Sequence, residues 1–499
     1  MTGTIKLKSA LYSDYTMLEG VNDLLTNKYI FDPIKNSIGI PKIKVIYAST
    51  GFGKNFTSWM KVAPWWFNEG GGQLFIVVSP FLETLSKREI QGYTDESLVN
   101  TTARKYFNGE NYSMYDVKQD LSTGKNVIMT FTDKTLINKM KDDTFMDILS
   151  KYGKKTITIR DEISYGMTSC KKNARNNTGW NYQFYKAAYF TNFVKLLEKG
   201  VEVFGLTATP TREQLQELRT ENADYEIINT MPEKNELVMK QKWWNSVSTT
   251  DYTPDDYSDI NLLKNEVKLG LDTLSVKERK ISNLFDESSY LDMNNKLTMM
   301  ISLQSDAGSK PKFTISRFEE MLKEFPEEFG DRYKGKTYIV TTSNLGWKEY
   351  DFYGKETGQG DKKGDAWLGM MNDQTSDVRL LIVLQKGQYG INIPSLSYGI
   401  SFRDSKSNTD DTDDTVRTSS KQFMGRFIRT NLKRADYDLF NKLTNDFGVE
   451  RGREFLQLKN TFDFRAVDGP KNFWRDSLEE YKEYGNSWDE FVSYFYETV

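Results

Sequence analysis

The chain has 499 residues with 67 basic and 70 acidic side chains, a net charge of −3, so it carries no whole-molecule basic field and would have to meet a polyanion through a local groove. Hydrophobic residues make up 38% and aromatics 14%, which excludes a disordered chain and allows two to four domains at roughly 100–200 residues each. There is no histidine and one cysteine, Cys170; this excludes Ser-His-Asp triads, His-ligated zinc, histidine acid–base chemistry and an intrachain disulfide, and leaves catalysis to carboxylates, Lys, Arg, hydroxyls and a bound metal.

In chain order, the first apolar β-branched run is 43–47 (IKVIY), followed by 74–78 (LFIVV), 126–130 (NVIMT), 156–159 (TITI) and 201–206 (VEVFGL). Helical patterns lie between them, for example 190–198. Continuous apolar strands alternating with helices predict a parallel sheet covered on both faces. From about 235 to 295 the chain turns polar and charged with a helical middle, which reads as a linker or small insertion. Strand-like runs resume at 297–303, 336–340, 380–384 and 398–402, with a helical run at 316–325. The acidic stretch 404–415 lacks a calcium loop's Gly and terminal Glu and reads as a solvated loop. From 436 on, the chain is expected to be helical and aromatic-rich.

The fold class expected is therefore α/β, with two tandem parallel-sheet lobes, an inter-lobe linker or insertion and a short helical C-terminal extension. The boundaries are 1–235, 236–295, 296–435 and 436–499. No apolar run approaches the roughly 18 residues of a membrane span. The N-terminus, with Lys6 and Lys8 but no apolar stretch behind them, does not read as a signal peptide, so a cytoplasmic setting is expected.

Four segments carry chemistry. Ala48-Ser49-Thr50-Gly51-Phe52-Gly53-Lys54-Asn55 follows the first strand. Its glycines would let backbone N–H groups approach phosphates, and Lys54 would reach the β- and γ-phosphates at a helix start. Asp161-Glu162-Ile163-Ser164 follows the fourth strand, at the end of the sheet where α/β proteins bind ligands. Asp161 would hold magnesium and Glu162 would orient and deprotonate water. Gly205-Leu206-Thr207-Ala208-Thr209-Pro210 places small hydroxyl residues in a tight loop after the fifth strand. Gln422-Phe423-Met424-Gly425-Arg426-Phe427-Ile428-Arg429 puts two arginines three apart, on one face of an expected helix, where they would fork onto phosphate oxygens. Gly390-Ile391-Asn392-Ile393-Pro394 lies between these, after the strand at 380–384.

Taken in order, these segments resemble motifs I, II, III, V and VI of the DEAD/DEAH-like superfamily 2 helicases. The similarity is greatest to the branch that includes phage helicases and type III restriction motor subunits. Val77-Val78-Ser79-Pro80 is similar to motif Ia and Met299 to Ser305 to motif IV. The resemblance covers about residues 40 to 435. It implies two RecA-like lobes with ATP and Mg2+ in the cleft between them. Ser49, Thr50, Gly51, Phe52, Gly53, Lys54, Asn55, Gly390 and Asn392 would then bind the nucleotide. Asp161 and Asn55 would take the metal, and Lys54, Asp161, Glu162, Gln422, Arg426 and Arg429 would be catalytic. Ser164, Thr207 and Thr209 would couple hydrolysis to lobe movement, and Ser79, Pro80, Thr130 and Ser302 would contact nucleic acid, mainly its phosphates. The implied activity is an ATP hydrolase coupled to unwinding or translocation, on DNA foremost with RNA possible, in phage-type replication or recombination. The implied form is a monomer, with the C-terminal extension open to a protein partner.

The sequence departs from the pattern at Asn55, where a Ser or Thr commonly binds magnesium. Ser164 replaces a His or Asp, and Asn392 stands where many relatives carry Asp. No Gln precedes Gln73, so the adenine-reading Gln upstream of motif I is missing. Two other readings stay open. One is a nucleic-acid-binding clamp or scaffold with weak turnover. The other is the motor subunit of a restriction-type nuclease complex, whose nuclease would need a separate chain because Glu480-Tyr481-Lys482 sits in a helical pattern. The basic loop of Lys171, Lys172 and Arg175 could touch phosphates or be plain surface.

Overall fold

The structure, a computed structural model, describes residues 5–7, 25–48, 52–80, 85, 103–163, 192–208, 224–230, 241–251, 259–284, 295–304, 313–342, 346–360, 366–384, 393–402, 423–430, 432, 434–468, 473–484 and 487–498. They form two compact units: Asn22–Glu233, and Met1–Val21 together with Lys234–Val499. The first strand, β1 (Ile5–Leu7), belongs to the second of these.

In the unit Asn22–Glu233 the described strands are β2 (Ile43–Tyr47), β3 (Leu74–Ser79), β4 (Arg104–Tyr106), β5 (Val127–Thr132), β6 (Thr156–Arg160), β7 (Glu202–Thr207) and β8 (Tyr225–Ile227). They form one sheet in the order β4-β5-β3-β6-β7-β2-β8, and every neighbouring pair is parallel. The central strands β3 and β6 are buried throughout, as expected for β-branched and aromatic strands covered on both faces. Several of the helices start on side-chain caps. Ser113 and Asp116 form a reciprocal capping box on Met114–Ser122, and the Asp142 carboxylate accepts from the Thr144 and Phe145 amides at the head of Asp143–Tyr152. A parallel sheet brings the C-terminal ends of all its strands to one edge.

In the other unit the described strands are β9 (Trp243–Asp251), β10 (Thr298–Ser302), β11 (Thr337–Thr342), β12 (Gly346–Asp351), β13 (Glu356–Gly360), β14 (Val378–Val383), β15 (Leu396–Ser401) and β16 (Thr461–Asp468). The order is β13-β12-β11-β14-β10-β15-β16-β9. The β11–β12 and β12–β13 pairs are antiparallel and the others parallel. A short ribbon of β1 against β17 (Tyr496–Thr498) is antiparallel.

Two stretches do more than the sequence pattern implies. Residues 236–295, read as a linker or small insertion, supply the edge strand β9 and the helix Ile260–Asn283. Leu263, Val267, Leu271, Leu274 and Ile281 of that helix pack into the core on the sheet. The tail from 436, read as a helical extension, contains the helices Arg434–Phe447, Val449–Asn460 and Phe473–Tyr484. It also inserts β16 between β15 and β9. The reason is charge pairing under the sheet: Asp463 pairs with Lys277 at 2.6 Å and Arg465 with Glu266 at 3.0 Å. In β16 the polar letters Thr461 and Asp463 are therefore buried ones.

At the other end of β10, the Lys296 ammonium donates to Met370 O (3.0 Å), Asp373 O (2.8 Å) and Ser376 Oγ (2.7 Å), closing the C-terminus of the helix Ala366–Asn372. Burial, with Arg379 beside it, pushes Lys296 down to about 7 from its ordinary 10.5. Between those two values the unfolded chain binds a proton that the folded chain does not, so stability rises with pH through that window. Urea denaturation at pH 7 and pH 9.5 is expected to show this rise in the wild type. Lys296→Met should flatten it; an unchanged slope would refute the assignment.

Candidate functional site

The loop after β2 starts from a fixed backbone. Ala48 N donates to Thr207 O at the end of β7 (3.0 Å). The Asn229 side chain holds the other side of the strand, accepting from Tyr47 N (2.8 Å) and donating to Tyr47 O (2.7 Å) and Tyr29 O (2.9 Å). Asn229 extends the ladder just beyond the short edge strand β8, a role its sequence context does not reveal. Ser49, Thr50 and Gly51 lie outside the described residues. Phe52 is buried edge-on against Tyr29. Gly53 has φ +94, a left-handed conformation that a side chain would strain, and from it the chain enters Lys54–Thr57. That turn runs on through the π-type segment Ser58–Val62 into Ala63–Asn68 as one helical stretch. Lys54 is buried and donates from Nζ to Ala48 O at 2.8 Å. Its ammonium is thus held at the end of β2. Asn55 is half-buried beside it.

The acidic turn at the end of β6 is locked from four sides. Asp161 N donates to Val78 O (2.8 Å) and Ile163 N to Leu206 O (2.8 Å), which stitches the turn to the strands on either side. Arg160, wholly buried, donates from Nη1 to the carbonyls of both Asp161 and Glu162, and from Nη2 to Asp133 Oδ2 at 2.8 Å. Glu162 N donates to Asp161 Oδ1 (3.1 Å). Ile163 fills the space that a side chain on Gly205 would occupy: a Cβ there would sit 2.1 Å from Ile163 Cδ1. Glu162 is the one non-glycine residue among those described with positive φ, at +49. Such a conformation costs about 1–3 kcal/mol and persists where the surroundings over-determine it. Gly205→Ala is therefore expected to destabilise the protein by about 1–3 kcal/mol through overpacking, and to displace the acidic turn. Adding Ile163→Val should restore part of the loss in urea denaturation; no restoration would refute the contact.

Register brings these pieces together. Tyr47 lies level with Thr207, and Arg160 level with Gly205, on the adjacent strands β2, β7 and β6. The lysine loop, the buried Thr207 and the acidic turn thus share one sheet edge; Thr209 and Ser164 lie outside the described residues. Among the described residues no group of three or more His, Cys, Asp or Glu could hold a metal ion alone. Asp161 Oδ1 takes the Glu162 amide, and Oδ2 has no hydrogen-bond partner among the described residues. A single carboxylate of this kind suits magnesium that brings its other ligands as phosphate and water oxygens.

Three of the residues expected to meet nucleic acid are buried. Thr130 Oγ1 accepts from Asn108 N (2.8 Å), and Ser79 and Ser302 close their strands inside the packed ends of the sheets. Of that group Pro80 alone keeps surface, being half-buried. The side chains of Thr130, Ser79 and Ser302 are therefore covered by protein.

In the second unit the arginine pair is carried differently from expectation. Phe423 and Met424 are helical, but Gly425 to Ile428 run as turns, with Arg426 N bonded to Phe423 O (3.1 Å) and Phe427 N to Met424 O (2.9 Å), and Arg429 then forms a β-bridge with Gln241. A continuous helix through both arginines is prevented because Lys242 N takes Ile428 O at 2.7 Å. Phe427 packs on β15 where Gly399 has no side chain; a Cβ there would meet its ring at 2.4 Å. Phe423 and Phe427 pack on Phe464 of β16. Arg426 is buried and Arg429 half-buried. Beneath them Lys242 donates to Leu396 O and Ser397 Oγ; burial, with Lys277 and Lys459 near it, holds its ammonium well below the usual lysine value. Gln422, Gly390 and Asn392 lie outside the described residues, as does the loop of Lys171, Lys172 and Arg175. No helix among the described residues is long and apolar enough to cross a membrane.

No family model matches this sequence, and no curated protein matches it. Solved structures do. The DUF1998 helicase MrfA bound to DNA is similar over 98% of this chain and 53% of its own, with TM-score 0.53 and 9% identity. The same helicase bound to DNA and AMPPNP gives TM-score 0.50 over 98% and 55%. Dbp5 of S. cerevisiae bound to RNA and ADP BeF3 gives TM-score 0.50 and 12% identity over 94% of this chain and 90% of that one. The chain thus spans about half the length of the DUF1998 helicase it matches. At such identities the likeness carries the fold, and the fold is that of tandem RecA-like helicase lobes.

Proposed function

We propose that this chain is an ATP hydrolase that drives a superfamily 2 type helicase or translocase on nucleic acid, DNA foremost. The observation that carries the reading is the shared edge of β2, β7 and β6, which gathers Lys54, Thr207, Asp161 and Glu162. The named DNA- and RNA-bound structures that share the fold support it. Lys54 would bind the terminal phosphates and Asp161 would carry magnesium. Glu162 would orient and deprotonate the attacking water, because no histidine is available to do so. Arg426 and Arg429, with Gln422, would stabilise the charge on the transferring phosphoryl group. Bound magnesium would offset the charge that builds on the phosphate oxygens. Thr207 and Thr209 would couple turnover to movement. A phage-type replication or recombination setting belongs to the same reading.

The test is ATP hydrolysis by the purified chain alone and with forked DNA, Holliday-type junctions and RNA duplexes, with strand separation followed in parallel. Stimulation by one of these, lost in Lys54→Ala, is expected. A background rate with all of them, unchanged by Lys54→Ala, would sink the proposal. One observation favours a second reading, a nucleotide-gated clamp with slow turnover: Asn55 occupies the position beside Lys54 where a hydroxyl would usually meet the metal. On that reading nucleotide binds without appreciable hydrolysis, and Asn55→Thr raises the rate.

A further inference from the structure

Arg160 is the last residue of a strand that is otherwise Thr and Ile, and its side chain is wholly buried. Level with it on β3 is Val78, and level with Val78 on β5 is Phe131. The guanidinium therefore spans the end of β3 to reach Asp133, the first residue of the helix Asp133–Lys139, where a carboxylate also complements the helix N-terminus. An ion pair this buried contributes little net stability, since its desolvation cancels much of the attraction. What the pair does in geometric terms is specific. One fork of the guanidinium takes the carboxylate of Asp133, and the other takes the carbonyls of both acids in the turn. Those carbonyls flank the one left-handed non-glycine residue among those described, Glu162.

We propose that Arg160, anchored by Asp133, is a positioning residue that holds Asp161 and Glu162 in their reactive arrangement. This rests on the hydrolase reading above. The planar fork of arginine can satisfy a carboxylate and two carbonyls at once; the single ammonium of lysine cannot keep that geometry. Asp133 acts at one remove, by fixing the direction in which the fork points.

The experiment compares the wild-type chain with Arg160→Met/Asp133→Leu, which removes both buried charges together, and with Arg160→Lys. Three quantities are read: KM and kcat for ATP hydrolysis, thermal stability, and amide hydrogen exchange at Asp161 and Ile163. Removing the pair as a unit is expected to leave thermal stability and KM near wild type. The kcat should fall by about 100-fold, the scale set by a misplacement of roughly 1 Å in a reacting group. Exchange at the two amides should accelerate. Arg160→Lys should stay folded with kcat still at least about tenfold low, because the charge is kept and the fork lost. Wild-type kcat or unchanged amide protection in the double variant overturns the proposal. Should that variant fail to fold, wild-type kcat in Arg160→Lys overturns it and a low kcat at unchanged KM supports it. If the wild type itself hydrolyses no faster than Glu162→Gln, the hydrolase reading has failed instead. Amide exchange then decides alone: faster exchange upholds the positioning role and unchanged exchange refutes it.

Discussion

Lys54→Ala is expected to lower ATP hydrolysis by about 10²–10³-fold, the effect of removing one preorganised donor from a developing negative charge. The structure gives the reason for a large effect with a small disturbance. Lys54 sits immediately after the left-handed Gly53, and its ammonium lies 2.8 Å from Ala48 O, the residue that opens the loop. The side chain thus ties the start of the helical stretch to the end of β2. Alanine keeps the backbone and the helical stretch, since Thr57 N still reaches Gly53 O, but it removes the one cation from Ala48 to Asn55. The loss should therefore appear in nucleotide affinity as well as in kcat. A fall in rate confined to a lower melting temperature would count against the assignment.

Glu162→Gln should behave differently. A general base contributes about 10²–10⁴-fold, so kcat should drop by that order while nucleotide binding persists. The backbone of the turn is held by the Asp161 and Ile163 amides and by Arg160, none of which depends on the Glu162 carboxylate. Gln is nearly isosteric and keeps the conformation; the proton acceptor alone is lost. Single-turnover hydrolysis beside equilibrium nucleotide binding separates the two. An equal loss in binding would show that Glu162 shapes the site instead of acting in it.

Much of this was legible in the residues, for a physical reason. The strands at 43–47, 74–79, 127–132, 156–160 and 202–207 are apolar because they are buried on both faces, and such runs announce themselves. The same holds for β10, β11, β14 and β15. Edge strands do not announce themselves: β4 reads Arg-Lys-Tyr, β8 is largely exposed, and β13 alternates glycine with polar residues. Strands β9 and β16 were hidden because their cores include Ser, Thr, Asp and Arg, whose partners lie far away in sequence. The acidic pair could be found from its place after a strand. Its support could have been suspected from one letter, since an arginine closing a buried strand must be paired. Asp133, Gly205 and Asn229 act through register and packing, which no local pattern encodes. The three-residue spacing of the two arginines fits one helix face; the competing bond from Lys242 depends on a strand nearly two hundred residues upstream.

The position of β16 also bears on how the chain is made. The unit Asn22–Glu233 is continuous, so all its strands are synthesised before β9. Strand β9 comes next, yet its place is at the sheet's edge against β16; Asn245 and its partner Asp463 are 218 residues apart. At synthesis rates of about 5–20 residues per second, β9 must wait on the order of 10–40 s before its neighbour exists. During that interval an aromatic-led strand with open backbone groups is a ready template for pairing with another nascent chain. Chain elongation, and not the stability of the finished sheet, then sets the interval of greatest aggregation risk, and slower translation through 252–460 should lower the yield of soluble protein.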